Sequence, residues 1–126
     1  MKKQKLLCLF VFILLSIATI SCTKSEDDDP GSNPTIPVVT TDELGTPTYT
    51  TVEIWGSVTS SGGTYIDSFG FCWSTEDETP TVEDDKIEYS GNQLGQYHVN
   101  LGELDEATTY YIRAFARNSA GIGYGE

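Results

Sequence analysis

The residues of this chain that could do chemistry are few. Its single histidine, His98, lies in Gln96–Leu101 on the parity opposite Tyr97, Val99 and Leu101, which points it at solvent. A general base would also need an activated nucleophile and an orienting acid, and the sequence supplies neither beside it. Glu76-Asp77-Glu78 and Glu83-Asp84-Asp85 put six carboxylates in one loop around Pro80. Calcium takes about six to eight hard oxygens, so this loop is the chain's calcium candidate. The glycine-punctuated spacing of a calcium loop is missing, and a solvated acidic loop is the plainer account. No glycine-rich phosphate loop and no histidine–cysteine zinc cluster occurs. The expectation is a protein that is not an enzyme and holds no cofactor or metal.

Aromatic side chains are the better candidates for a site. Trp55 lies on the parity of Thr50–Thr59 opposite Val52, Ile54, Gly56 and Val58. Tyr111 and Phe115 alternate with Tyr110, Ile112, Ala114 and Ala116, and are interleaved with Arg113 and Arg117. Outward aromatics on a sheet can stack on sugar rings or anchor a partner protein. The blander alternative is that the arginine stems cover Tyr111 and Phe115 as cross-strand pairs, and that a bulge turns Trp55 inward.

The elements that must position these residues are short strands. Leu104–Asn118 is the organising stretch, a leucine and a polar corner leading through Tyr110 into an alternation of period two. Before it come Val38–Thr41, Thr50–Thr59, Ile66–Ser74 with Phe69, Phe71 and Trp73 on one parity, Lys86–Tyr89, and Gln96–Leu101. Ser60-Ser61-Gly62-Gly63 and Ser90-Gly91-Asn92 are turn chemistry, and Ala120–Gly125 is a glycine-rich turn. Six or seven strands with no helical stretch predict an all-β sandwich.

The Leu104–Tyr110 corner resembles the tyrosine corner of fibronectin type III domains, in which a tyrosine hydroxyl ties the strand to upstream backbone. Gly56-Ser57-Val58, Gly62-Gly63, Gly70-Phe71-Cys72-Trp73-Ser74, Thr109–Ala114 and Gly121–Glu126 together resemble the fibronectin type III-like repeats of bacterial surface lipoproteins. The tryptophan usual on the second strand is absent at that parity, and Trp73 on the next strand takes its core space. The resemblance implies an immunoglobulin-like β-sandwich over residues 36–126. It also implies a final strand following Gly123–Glu126, which would leave the module short of a complete last strand at Glu126.

Met1–Lys5 is basic and Leu6–Ile20 is apolar, shorter than the roughly 18–20 residues that cross a bilayer, as in a signal peptide. Thr19-Ile20-Ser21-Cys22 resembles a lipobox, with Thr19 where leucine is usual. That resemblance implies removal of residues 1–21 and acylation of Cys22, an anchor to the membrane. Cys8 would leave with the leader and Cys22 would be lipid-linked. Cys72 then has no disulfide partner, and its place beside Trp73 makes it a small core residue. Residues 22–35, with the acidic run Glu26–Asp29 and two prolines, form a tether. An acidic run just after the lipidated cysteine resembles the export signal of surface lipoproteins in Gram-negative bacteria, implying the outer membrane and surface exposure.

The chain carries 7 basic and 19 acidic residues. Loss of the leader would leave four cations, Lys24, Lys86, Arg113 and Arg117. Such a surface repels phosphate backbones and excludes nucleic acid as a partner. The expected function is a lipid-anchored cell-surface protein whose module spaces, adheres or binds a protein or ligand. The alternatives are a glycan-binding accessory protein of a polysaccharide-uptake system, and the N-terminal part of a larger surface protein whose activity lies beyond residue 126.

Overall fold

The computed structural model describes residues 33–126; the leader, Cys22 and most of the acidic tether lie outside them. Within them the chain is all-β, with seven strands in two antiparallel sheets. They are β1 (Val38–Leu44), β2 (Val52–Ser60), β3 (Ile66–Ser74), β4 (Asp85–Ser90), β5 (Gly95–Leu101), β6 (Tyr111–Asn118) and β7 (Gly121–Tyr124). The first sheet has the order β1-β2-β5 and the second β4-β3-β6-β7. No helix among the described residues is long and apolar enough to cross a membrane.

Alternation makes the sandwich. Val52, Ile54 and Val58 of β2 and Tyr97, Val99 and Leu101 of β5 face Ile66, Phe71, Ala114 and Ala116 of the second sheet. Phe69, Trp73, Ile87, Leu104 and Ile112 close the sides of this core. The two sheets approach closely at Gly56, where a Cβ would stand 2.9 Å from the Cβ of Ala114. Tyr97 is the one polar group at the centre. Its hydroxyl lies between the carbonyls of Gly70 (3.0 Å) and Phe115 (3.2 Å), and its ring meets Phe69 edge-on. That satisfies an oxygen which would otherwise be costly to bury.

Three expectations change at the borders of elements. The Leu104–Asn118 stretch is a strand only from Tyr111; Leu104–Tyr110 is a corner, with Glu103 and Ala107 in the left-handed region at φ 58° and 56°. Ala120–Gly125 was expected as a turn, but Gly121–Tyr124 is β7, paired with Phe115–Asn118. The Gly125 N–H then donates to the Ala114 carbonyl (2.8 Å) and carries the pairing one step further. Glycine at 123 is needed there because a side chain would strike the Pro37 carbonyl of the lead-in to β1. Finally, β1 runs to Leu44, with a bulge after Thr41.

The lead-in is fastened at its start. The Thr35 N–H donates to the Gly62 carbonyl (2.9 Å), and the buried Asn118 amide donates to the carbonyls of Thr35 (2.7 Å) and Ser61 (2.8 Å). The Asn118 oxygen accepts from the N–H groups of Ala120 and Gly121, so every polar atom of this side chain is used.

Candidate functional site

The outer face of the first sheet carries Trp55. Trp55 pairs with His98 across β2 and β5, and the two rings stack at 4.4 Å with planes 25° apart. His98 is exposed, as its parity requires, and its Nε2 stands 4.0 Å from Glu53 Oε1. On the other flank of β2 the β1 bulge sets Asp42 and Glu43 opposite Trp55, because Thr41 pairs with Gly56 and Leu44 with Ile54. A bulge of this kind re-aims side chains, and here it turns two carboxylates to the outer face. Asp42 is fixed in place by the hydroxyls of Ser57 (2.5 Å) and Thr40 (2.8 Å). Those hydrogen bonds, Ser57 first, hold its carboxyl below the usual range. Asp42, Glu43, Trp55 and Gln96 line a pocket of about 230 Å³.

Sequence reasoning found Trp55 but not its neighbours. The missed signal was Thr40-Thr41-Asp42-Glu43-Leu44, where the alternation slips by one residue before Leu44.

The outer face of the second sheet is different. Phe115, expected to face solvent, is fully buried, and this corrects the parity reading. It does lie on the side opposite Ala114 and Ala116, but the loop between β3 and β4 folds over that side. Val82 and Cys72 pack with Phe115 in a second core, flanked by Ile122 and Tyr124, and Pro80 is fully buried. The cover is tied down by polar contacts. The Val82 N–H donates to the Tyr124 hydroxyl (3.2 Å), and Lys86 Nζ donates to the Val82 carbonyl (2.7 Å). Arg113 donates from Nε to the Gly125 carbonyl (2.9 Å) and lies 4.8 Å over the Tyr124 ring. Tyr111 is half-buried opposite Ser74 and does not meet Trp55. The four residues Trp55, Tyr111, Arg113 and Phe115 therefore do not form one surface.

Two of the acidic loop's six carboxylates serve its own turns. Asp77 accepts from the N–H (2.8 Å) and hydroxyl (3.1 Å) of Thr79, and Asp84 accepts from the Thr81 N–H (2.8 Å). Glu76, Glu83, Asp84 and Asp85 line a polar hollow of about 340 Å³ with Trp73 and Tyr110. Glu78 is exposed. Among the described residues no three His, Cys, Asp or Glu side chains group as metal ligands.

Cys72 is buried, with Sγ 3.4 Å from the Pro80 carbonyl and 3.6 Å from that of Arg113. Burial pushes its thiol up to about 11, against the opposing pull of Arg113, so the nucleophilic thiolate is scarce at neutral pH.

Tyr110 is half-buried, and its hydroxyl accepts from the Asp105 N–H at 3.0 Å. Leu104 packs against the main core, and its N–H donates to the Thr50 carbonyl (3.1 Å). An apolar groove of about 290 Å³ opens beside this corner, lined by Leu44, Tyr49, Leu104 and Ile112.

No family model matches this chain, and no curated protein matches it.

Proposed function

We propose that this chain is a surface lipoprotein, anchored to the outer membrane through acyl chains on Cys22, with a fibronectin type III-like module that spaces, presents or binds. The module does no chemistry of its own. The observation that carries the module type is the corner at Tyr110. A tyrosine just before the sixth strand, its hydroxyl on the backbone five residues upstream, is the tyrosine-corner geometry of immunoglobulin-like sandwiches. Seven strands divided three and four between antiparallel sheets accord with it. The anchor rests on the basic start, the Leu6–Ile20 run and Ser21-Cys22.

Fractionation tests the anchor. Wild type is expected in the membrane pellet with an acylated N-terminal Cys22, and Cys22→Ala in the soluble fraction. An unmodified N-terminus elsewhere in wild type overturns it.

The stacked Trp55–His98 pair favours a second reading, a glycan-binding accessory protein. On that reading, binding to a glycan array is lost on Trp55→Ala.

A further inference from the structure

The pocket beside Trp55 has a chemical bias that narrows its ligand. Trp55 lines the pocket with Asp42, Glu43 and Gln96, while His98, stacked on the indole, is not among the lining residues. An electron-rich ring face and two carboxylates attract a cation. No cation of the described module supplies one. Lys86, Arg113 and Arg117 are the only ones among the described residues, and all three lie on the strands of the second sheet. Lys86 and Arg113 are moreover engaged in holding the cover over Phe115. A neutral sugar would meet chiefly acceptors here, with the Gln96 amide as the main donor.

We infer that this pocket docks an arginine side chain of a partner protein, its guanidinium stacked on Trp55 and its in-plane N–H groups directed to Asp42 and Glu43. Arginine suits the pocket better than lysine because a planar guanidinium can stack and donate sideways at once. Asp42 is pre-organised for this by Ser57 and Thr40, one on each oxygen, and by the Gln96 side chain, and a carboxylate with about four acceptor sites keeps room for the ligand. The bulge supplies Glu43 as the second, exposed acceptor.

The inference rests on the binding reading of the module and not on the anchor, so fractionation and ligand binding can fail separately. The test titrates the full chain with a short glycine peptide bearing two arginines and follows the Trp55 indole N–H by NMR. Matched peptides carrying citrulline or lysine, and a neutral oligosaccharide, are the comparison arms. The expected result is saturable movement of the Trp55 signal by the arginine peptide, with citrulline weaker by about tenfold or more. Glu43→Gln is exposed and leaves the fold intact; it and Asp42→Asn are expected to weaken binding by about tenfold each. Equal binding of the citrulline peptide overturns the inference, as do carboxamide variants that bind like wild type. A lysine peptide that binds as tightly overturns the arginine assignment. Movement by the oligosaccharide alone transfers the site to the glycan reading.

Discussion

The two outer faces of this sandwich start from the same sequence device and end differently. Each has an aromatic residue at the centre of an outward row, Trp55 in β2 and Phe115 in β6. Trp55 stays half-exposed, stacked only on an exposed histidine. Phe115 is sealed beneath a loop whose Pro80 and Val82 plug the space over Cys72. Parity along a strand fixes which side a residue takes, and a loop elsewhere in the chain decides whether that side is a surface. Phe115 thus works as core, while Trp55 remains available to a ligand.

Truncating the two aromatics should separate the faces most sharply. Phe115→Ala is expected to cost about 3–5 kcal/mol in denaturant unfolding, as for a phenylalanine removed from a packed interior. Trp55→Ala should cost about 1 kcal/mol or less, in the range of exposed aromatic pairs. Equal costs would erase the distinction between a covered and an open face.

Next in size is the plug. Val82→Ala should cost about 1–3 kcal/mol, since it empties the cover without touching either sheet. It should also speed alkylation of Cys72, which in wild type is expected to proceed only as fast as the loop lifts. Labelling that is fast in wild type would show the second face to be open after all.

Outside both faces, Tyr110→Phe removes one hydrogen bond to the Asp105 N–H and should cost on the order of 1 kcal/mol. An unchanged midpoint would mean that the corner does not depend on that bond.

A pH dependence of the covered face stands apart from these truncations. The Cys72 thiol is raised from 9.0 to about 11, so the unfolded chain releases this proton first. Its contribution is whole below pH 9 and declines as pH climbs from 9 towards 11. Wild type should therefore lose stability relative to Cys72→Ala over that interval. Parallel curves for the two proteins would count against a sealed thiol.

How far the fold was legible follows from the same contrast. Ile66–Ser74 was readable to the residue because polar turn residues bound β3 on both sides, although its inward row slips by one residue at the bulge after Ile66. The inward row Tyr97, Val99, Leu101 was readable from its alternation. What escaped was governed by contacts distant in sequence. Phe115 is covered from the β3–β4 loop, and the only local hint was an apolar Val82 inside an acidic stretch. β7 escaped because glycine, which signals a turn, is required at position 123 by the Pro37 carbonyl lying against it. Of the candidate site, Trp55 was legible from parity, whereas Asp42 and Glu43 join it through a bulge that local propensity does not announce. In the acidic loop, the turns that Asp77 and Asp84 make with Thr79 and Thr81 were likewise not announced by the charge pattern.

The Asn118 amide has a consequence in mechanics. It joins the lead-in at Thr35 to the β2–β3 loop at Ser61, while its oxygen grips the β6–β7 turn. A pull arriving from upstream of Thr35 therefore meets a buckle spanning three segments before it reaches the β1–β2 ladder. Hydrogen bonds set across the direction of a strand resist such a pull in shear, many at a time, and do not peel one by one. If the protein is held by its N-terminus, drag on the module is spread through the sandwich from the first residues that enter it.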